Sequence, residues 1–337
     1  MVKSLSEIFS EIDPDIKKIY VVPLIRYSHK RSDYLYLLYQ DLIESDTYDI
    51  ESISVFNHFS LVTGIWKNKS AILHYHWLEF QDLKSFFGMP WKLLCIWLFK
   101  AFGGKIVWTI HNEFPHDRRF LLLHKLLHKK MAKWAEILHV HCKTAIRIMN
   151  PRLKVDESKY RVMEHPLYPA KQLSRSTAIE HLKNELSLVL NPNHPVILMF
   201  GNISEYKQIN QVVDIVLRSG PNVQLLIAGP VKKGNMSLFK KLQNKAKKAS
   251  IISLYPHFVS EEQVPWFFSA SDLCVFNYRE ILSSGGVQMA RSHAKKILAP
   301  NKGCLSELSD KPNIQLFNSE IELEEKLNEF IRNFGNA

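Results

Sequence analysis

Short apolar runs that alternate with helical segments constrain the fold of this chain more than any other feature. Each run is four to seven residues long and is separated from the next by a segment with helical periodicity or a polar turn. Strands joined through helices in this way favour parallel βαβ units. The chain is therefore expected to be an α/β protein with doubly wound sheets. The clearest runs cover residues 18–24, 71–76, 105–110, 137–141, 195–201, 223–228, 250–254, 272–276 and 296–299.

The series is interrupted near residues 164–169, where Pro166 and Pro169 favour an extended segment. A chain of 337 residues is also longer than one hydrophobic core usually serves. We therefore expect one Rossmann-like domain over residues 1–168 and a second over residues 169–320. The C-terminal helix at 321–337 has the option of packing back on the first domain. Ligands bind at the carboxyl ends of such strands, so two facing domains would form a cleft there.

The charge balance narrows the class of partner. Lys and Arg number 44 against 33 Asp and Glu, which gives a formal net charge of +11. Such an excess favours an acidic partner: a nucleic acid, an anionic membrane or a phosphorylated substrate. The N-terminal segment has no apolar signal core, and Pro90, Lys92 and Lys100 interrupt the longest apolar stretch. We expect a cytoplasmic protein, with peripheral binding to the inner face of the cytoplasmic membrane as an option.

A polar turn between an apolar run and a helix is the first candidate binding site. Ser283, Ser284, Gly285 and Gly286 follow the run at 272–276 and precede a helical pattern. The start of a helix attracts phosphate because its amides are unpaired and its dipole favours negative charge. Glycines let a ligand approach the backbone closely. The alternative is a plain strand-to-helix connection.

Three charged residues are candidates for binding the ligand of this turn. Lys207 opens a helix six residues after a strand. The helix dipole disfavours a cation at this position, so a lysine here makes sense if a pyrophosphate lies between the ammonium and the helix start. The alternative is a solvated surface lysine. Arg279 has a guanidinium whose geometry suits phosphate oxygens. The alternative is that it forms a salt bridge on the surface of the domain. Glu280 would accept hydrogen bonds from sugar hydroxyls or, alternatively, cap the helix.

The second half of the chain resembles the GT-B-fold nucleotide-sugar glycosyltransferases, family four above all. Residues 200–207 (FGNISEYK) resemble the segment in which a strand, a glycine and an arginine precede a lysine. Residues 270–276 (ASDLCVF) resemble the strand before the donor-binding loop. Glu280 and Gln288, with seven residues between them, match the spacing of the paired-glutamate signature. The resemblance implies a GT-B fold, in which two Rossmann-like doubly wound domains face a central cleft.

The resemblance also implies how the donor is held, and the chain departs from the family at three positions. The phosphate-binding arginine is replaced by Asn202, the glycine after the lysine by Gln208, and the second glutamate by Gln288. A glutamine still bonds a ribose hydroxyl, but as a neutral group. The implied donor is a UDP or GDP sugar, and no other cofactor is expected. The implied donor-binding residues are Gly201, Asn202, Lys207, Arg279, Ser283, Ser284, Gly285, Gly286 and Gln288.

His111 is the candidate catalytic residue of the first half. Residues 74–79 (HYHWLE) and 108–116 (WTIHNEFPH) resemble acceptor-domain segments of bacterial exopolysaccharide and lipopolysaccharide transferases. In the resembled family a histidine at this place touches the donor sugar near the reacting carbon. An inverting reaction would need a carboxylate base, whereas a retaining one would use the donor's own phosphate oxygen. The catalytic candidates are His111, Glu113, His116 and Glu280, and the carboxylates considered as bases are Glu79, Glu113 and Asp117.

No metal site is expected. The four cysteines lack CxxC spacing, and fifteen histidines make neighbouring pairs such as His74 with His76 and His139 with His141 frequent by chance. The Asp-x-Asp at Asp13 precedes the first strand, whereas metal-dependent transferases need theirs after a strand. Transfer is therefore expected to be metal-independent.

A basic amphipathic helix over residues 117–135 is a candidate membrane surface. Its basic residues, including Arg118, Arg119, Lys129 and Lys130, oppose a face rich in Leu, Phe and Trp. Such helices suit an anionic bilayer surface. The alternative is an ordinary helix that faces the core.

These observations predict a hexosyltransferase that moves a sugar from a nucleoside-diphosphate sugar to a lipid-linked or growing glycan in bacterial surface polysaccharide assembly. One alternative is a nucleotide-sugar epimerase of the same fold, which needs no acceptor. The other is a basic nucleic-acid-binding protein without enzymatic activity, although the chain has no recognisable nucleic-acid module, so nucleic acid is not an expected partner.

Overall fold

The computed structural model of the protein describes residues 4–78, 88–114 and 120–334. The chain divides into two compact units, residues 1–166 and 167–337. Each unit contains a six-stranded sheet whose neighbouring strands are parallel. The expected α/β class with two doubly wound domains is therefore confirmed.

The first unit has the strand order β2-β1-β3-β4-β5-β6. The chain first runs from β1 to one edge and then returns to build the sheet in the other direction. Its strands are β1 Lys18–Val22, β2 Asp49–Ser52, β3 Ile72–Tyr75, β4 Lys105–Thr109, β5 Ile137–Val140 and β6 Tyr160–Val162. Its described α-helices are α1 Leu5–Ile12, α2 Tyr34–Glu44, α3 Phe59–Asn68, α4 Met89–Ala101, α5 Leu121–Trp134 and α6 Lys143–Leu153.

The second unit has the strand order β12-β11-β10-β7-β8-β9, the arrangement of dinucleotide-binding sheets. Strands β7 and β10 lie at its centre, where the direction of winding reverses. Its strands are β7 Val196–Phe200, β8 Gln224–Ala228, β9 Ile252–Tyr255, β10 Leu273–Val275, β11 Lys296–Pro300 and β12 Ile314–Phe317. Its described α-helices are α7 Arg175–Leu186, α8 Ile209–Arg218, α9 Met236–Lys248, α10 Val264–Ala270, α11 Gly285–Ser292 and α12 Glu320–Asn333.

Local sequence signals explain where these elements form. The central strands are buried along nearly their whole length, because parallel sheets are covered on both faces. Ser174, Ser284 and Ser319 cap α7, α11 and α12, and each side chain accepts a hydrogen bond from an amide of the first turn. The C-terminal helix α12 inserts Leu323 and Leu327 into the core of the second unit.

The connections determine which helices share a face of the first sheet. Crossovers between parallel strands are right-handed, so α3, α4 and α5, which all lead toward the β6 edge, lie on one face. Contacts between α3 and α4 agree with this arrangement, and α1 contacts α2 on the other face. The side chains that α3, α4 and α5 leave uncovered therefore belong to one side of the unit.

Gly229 provides a test of the packing behind β7. Its φ is +140°, and an added Cβ would lie 2.5 Å from the carbonyl carbon of Gly201. Gly220 has a φ of +94° but nothing within 4 Å of an added Cβ. We expect Gly220→Ala to cost about 1–2 kcal/mol from backbone conformation, and Gly229→Ala to cost about 1–3 kcal/mol more from overpacking. Thermal unfolding measures both, and equal losses of stability would contradict the close approach.

Candidate functional site

The carboxyl ends of β7 and β10 form the candidate site of the second unit. The two strands are neighbours at the point where the winding of the sheet reverses. Open α/β sheets bind ligands in the crevice outside such a point. The loop after β7 carries Gly201, Asn202 and Lys207, and the loop after β10 carries the predicted residues from Arg279 onward.

Backbone and aromatic contacts join these two loops. The amide of Arg279 donates to the carbonyl of Tyr206 at 2.8 Å. The rings of Tyr206 and Tyr278 stack with centroids 5.7 Å apart and an interplanar angle of 9°. Asn277 Nδ2 donates to Gln211 Oε1 at 2.8 Å. Residues that are some 70 positions apart in the sequence are thus held together at one edge of the sheet.

Lys207 is the buried cation of this edge. Its side chain is only 8% exposed, and Nζ donates to the carbonyl oxygen of Phe200 at 2.8 Å. Burial lowers the pKa of Lys207 to about 7. Across residues 4–78, 88–114 and 120–334, no carboxylate forms an ion pair with its ammonium. A desolvated cation without a charged partner favours an anionic ligand.

Local backbone conformation places this ammonium. A single 3₁₀ turn, Glu205–Lys207, returns the side chain toward β7, and Gln208 then adopts a left-handed conformation before α8. Gly201 has a φ of +91°, and an added Cβ would lie 2.8 Å from Lys207 Nζ. A side chain at residue 201 would therefore compete with the ammonium for the same space. Asn202, the next predicted residue, is exposed.

The start of α11 is the second candidate element of the site. Ser284 Oγ accepts a hydrogen bond from the amide of Val287 at 3.2 Å and also bonds the hydroxyl of Tyr278 at 2.9 Å. The amides of Gly285 and Gly286 fall in the first turn, where a helix offers no backbone acceptor. An added Cβ at Gly286 would lie 3.1 Å from the ring of Phe276. The start of α11 therefore packs closely on the segment after β10, which also contacts Tyr206 beside Lys207.

The remaining predicted donor-binding residues lie around this turn. Ser283 is half-buried, whereas Arg279 and Glu280 are exposed. Gln288 lies one turn into α11, and its Oε1 accepts a hydrogen bond from Arg291 at 2.6 Å. The structure thus places the predicted donor-binding residues on two joined loops and one helix start, and their roles stay predictions.

The first unit presents a different chemistry along strands β3, β4 and β5. Buried histidines lie at the carboxyl ends of three neighbouring strands: His74 and His76 at β3, His111 after β4, and His139 and His141 at β5. In the part of the chain that the structure describes, no group of three His, Cys, Asp or Glu side chains could hold a metal ion. These histidines instead bond hydroxyls, backbone carbonyls and one another.

A continuous series of hydrogen bonds runs inward from His111. We name it the histidine network, and it consists of His111, His76, Tyr39, His74, Thr109 and His139. It ends on the carbonyl oxygen of Met163. The successive contacts are His111 Nε2 to His76 Nδ1 (3.1 Å), His76 Nε2 to the Tyr39 hydroxyl (3.2 Å), that hydroxyl to His74 Nδ1 (2.5 Å), His74 Nε2 to Thr109 Oγ1 (2.7 Å), Thr109 Oγ1 to His139 Nδ1 (2.8 Å), and His139 Nε2 to Met163 O (3.1 Å).

Burial and mutual proximity keep these rings neutral. Desolvation and neighbouring histidines lower the pKa values of His74, His76 and His111 well below their usual range. Burial lowers the pKa of His139 to about 4. The indole of Trp77 stacks on the ring of His111 at 4.2 Å and 11°, which fixes the plane of that ring.

Glu113 is held by an ion pair rather than placed with the histidines. Its carboxylate pairs with the guanidinium of Arg152, which lies over the ring of Phe114. This pairing disfavours Glu113 as a base in the structure as it stands. His116, Glu79 and Asp117 lie outside the described residues.

Sequence reasoning missed Tyr39 and Thr109. The available signal was strand register, because Thr109 lies opposite His139 in the parallel pairing of β4 and β5. Tyr39 gave no such signal, because it lies on α2 and its hydroxyl bonds His74, 35 positions further along the sequence.

Comparison with known proteins bears on the second unit. Residues 183–285 match the family model described as Glycosyl transferases group 1. The match covers about a third of the chain and includes Gly201, Lys207, Glu280 and Gly285. The predicted resemblance to glycosyltransferases of this group is confirmed. None of the curated proteins matches the chain.

Solved glycosyltransferase structures share the fold. The Anabaena protein Alr3699/HepE, solved in complex with UDP, has a TM-score of 0.65 at 13% identity over 94% of this chain and 91% of its own. A glycosyltransferase from Rickettsia africae has a TM-score of 0.61 at 14% identity over 95% and 89%. Sucrose-phosphate synthase from Thermosynechococcus elongatus has a TM-score of 0.61 at 13% identity over 85% and 75%. The GT-B fold is thus established for this chain.

The buried ammonium predicts a pH dependence of stability without ligand. Folding lowers the pKa of Lys207 from 10.5 to about 7, so the unfolded chain binds more protons than the folded one between these values. The free energy of unfolding therefore gains a component that rises with pH from about 7, by up to about 1.4 kcal/mol per pH unit. Urea unfolding at pH 7 to 9 should show a smaller rise for Lys207→Met than for wild type. The exposed Lys241→Met is the control, and a slope in Lys207→Met equal to wild type would contradict the burial of this charge.

Proposed function

We propose that this protein is a GT-B glycosyltransferase that takes a sugar from a nucleoside-diphosphate sugar. The observation that carries the proposal is the buried ammonium of Lys207, which lies in a loop joined to the loop before the helix start at Gly285. Both elements fall within the residues that match the glycosyltransferase family model. A pyrophosphate is the group that would satisfy both of them, since it carries charge for the lysine and oxygens for the helix amides.

The proposed donor is a UDP sugar. The Anabaena protein that shares the fold was solved with UDP and with UDP-glucose. Gln288 would bond the ribose as a neutral group, and Arg279 and Glu280, both exposed on the loop before α11, would meet the phosphates and the sugar hydroxyls. Lys207 and the helix start would supply the positive charge that a metal ion supplies in other transferases. We infer that transfer is metal-independent, so it should survive a chelator.

The proposed acceptor is a lipid-linked or growing glycan at a membrane surface. The face of the first unit formed by α3, α4 and α5 exposes large apolar side chains, with Trp66 82%, Leu122 75% and Leu126 65% exposed. Lys125, Lys129 and Lys130 are exposed on the same helix as the two leucines. Apolar side chains among lysines suit an anionic bilayer. In the described part of the chain, no helix has the length and apolarity to cross a bilayer.

This surface changes how the basic helix is understood. The sequence left open whether the leucines of α5 face the core. The buried residues of α5 are His124, Leu127, His128, Met131 and Ala132, whereas Leu122, Leu123 and Leu126 point outward. Arg118 and Arg119, which the sequence assigned to the same surface, lie outside the described residues. The exposure of the leucines supports peripheral binding to a membrane, which we propose to be the inner face of the bacterial cytoplasmic membrane.

Donor binding is tested by two substitutions that should separate charge from sugar recognition. Lys207→Ala removes a charge-assisted phosphate bond, so we expect UDP to bind about 10- to 150-fold more weakly, which corresponds to about 1.5–3 kcal/mol. Glu280→Ala should spare UDP and weaken UDP-glucose, because its proposed partners are sugar hydroxyls. Isothermal titration calorimetry measures both, with Lys241→Ala as the matched surface control. Normal UDP binding by Lys207→Ala would contradict the proposed donor site. Turnover of the nucleotide sugar without an acceptor would favour the epimerase alternative.

Membrane association is tested by charge reversal on the exposed face of α5. Lys129→Glu with Lys130→Glu should abolish sedimentation with vesicles that contain anionic lipid. The matched control is Lys240→Glu with Lys241→Glu on α9, which changes the net charge equally but lies in the second unit. Folding is checked by thermal unfolding of each variant. Loss of binding in both double variants would point to general attraction by net charge, and equal binding of wild type to neutral vesicles would remove the role of these lysines.

A further inference from the structure

A cavity of about 390 Å³ lies within the first unit, between α5, the end of α6 and the segment after β4. We name it the α5–α6 cavity. Glu113 and Phe114 line it from the segment after β4, and Lys125, His128 and Lys129 line it from α5. Its volume falls in the range of about 300–1,000 Å³ that is typical of small-molecule sites. None of its described lining residues belongs to the histidine network, so it is a separate feature of the unit.

Cationic side chains predominate in the wall of this cavity. One lining residue, Glu113, is anionic, whereas four are cationic: Lys125, Lys129, Arg152 and Lys154. The carboxylate of Glu113 pairs with Arg152, which leaves the three lysines. Among the residues that the structure describes, no carboxylate forms an ion pair with these lysines. A cavity lined by charges of one sign attracts a ligand of the opposite sign.

The ring of Phe114 contacts two of the cations. Lys125 Nζ lies 5.8 Å from the ring centroid, and Arg152 Cζ lies 4.3 Å from it. The cation–π attraction links side chains from α5 and α6 to the segment after β4. One aromatic ring thus holds these cations at the cavity and does not leave them dispersed in solvent.

The helix dipole explains only part of this charge. A helix favours cations at its C-terminal end, where Arg152 lies in the last turn of α6 and Lys154 directly follows it. Lys125 and Lys129 lie in the N-terminal and middle parts of α5, where the dipole gives no such stabilisation. An anionic ligand explains why all of these side chains line the same cavity.

His128 adds a neutral polar group to the wall. The residue is 4% exposed, and its Nε2 has no hydrogen-bond partner within the described part of the chain. Burial lowers the pKa of His128 to about 3, so the ring is neutral at pH 7. Buried polar atoms are normally hydrogen-bonded. An unpartnered ring nitrogen in a residue of the wall therefore suits a site that a polar ligand completes.

A phosphomonoester matches this wall better than a phosphodiester does. It carries a charge of about −1.5 to −2 at pH 7 and presents three strong acceptor oxygens, whereas a phosphodiester carries a single negative charge. Each of the three lysines would donate a charge-assisted hydrogen bond to the phosphate group. Exposed leucines adjoin the site, since Leu122 and Leu126 precede Lys125 and Lys129 by three positions and are neighbours of them on the helix surface.

We propose that the α5–α6 cavity binds a phosphomonoester through Lys125, Lys129 and Lys154. The group comes from a membrane lipid, whose chains would lie along the exposed leucines, or from a soluble phosphate ester that uses the cavity alone. Both sources present the same chemistry to the lysines. The site belongs to the first unit and does not depend on the donor site around Lys207 or on sugar transfer.

Glycerol 3-phosphate tests the site directly. Titrated into protein labelled with ¹⁵N-histidine, it should shift the ring signals of His128, which the spectrum of His128→Gln identifies. This local signal separates the cavity from phosphate binding at Lys207. We expect Lys125→Met with Lys129→Met to raise the Kd at least about tenfold, because two charge-assisted phosphate bonds are lost.

The matched control is Lys130→Met with Lys133→Met, which removes two exposed lysines from the same helix at positions that do not line the cavity. Thermal unfolding verifies that both double variants fold. An equal rise of the Kd in the two double variants would overturn the proposal, because it would show attraction by net charge alone.

Vesicles distinguish the two sources of the phosphate. Phosphatidic acid carries a phosphomonoester and phosphatidylglycerol a phosphodiester, and sedimentation is compared on vesicles matched in zeta potential. A lipid ligand should give a several-fold preference for phosphatidic acid that Lys154→Met removes. This variant leaves the basic face of α5 intact, and the exposed Arg147→Met on the same helix is its control.

Each combination of results has one meaning. A shift of His128 that depends on Lys125 and Lys129, without a preference between the vesicles, assigns a soluble ligand. A preference for phosphatidic acid that Lys154→Met removes assigns a lipid head group. The proposal is overturned if His128 does not shift and the vesicles bind equally, or if the preference survives Lys154→Met.

Discussion

The ammonium of Lys207 is buried at the carboxyl end of β7, and much of the second unit is arranged around it. Gly201 leaves the space that Nζ occupies, and Gly229 packs so closely against the backbone of Gly201 that a side chain at residue 229 would force a shift. The carbonyl of Phe200 accepts one hydrogen bond from the ammonium, but it brings no opposing charge. Because the buried cation has lost its water, an anion bound here restores an interaction that folding removed.

The two units place side chains of different electrostatic character on their central strands. The second unit gathers its candidate residues where the direction of winding reverses, since the chain there leaves neighbouring strands on opposite sides and opens a crevice. The second unit places a cation and a helix start at this point, which suits phosphate. The first unit instead buries histidines on β3, after β4 and on β5, and burial lowers the pKa of His74, His76 and His111. A buried cation and a cluster of buried histidines therefore belong to different units of the same architecture.

The sequence predicted the central strands better than the edges. Runs such as Val196–Phe200 are continuously apolar because both faces of a parallel sheet are covered, whereas β6 and β12 are short edge strands with mixed burial and were not foreseen. Lys207 was predicted because its spacing from a strand and a glycine is local. Tyr39 and Thr109 were not, because their partners lie 35 and 30 positions away and meet only through the fold.

Helix α5 shows why periodicity alone could not decide what its leucines contact. Seven of its fourteen residues, Leu121 to Leu123, Leu126, Leu127, Met131 and Trp134, are large and apolar, and a core-facing stripe normally collects such residues. The fold instead buries His124 and His128, and burial lowers the pKa of His128 to about 3, so that this ring is neutral. Because His124 and His128 occupy the buried side of the helix, Leu122 and Leu126 lie on its exposed side, beside Lys125 and Lys129. An apolar and basic surface thus arises from the same helix that completes the core.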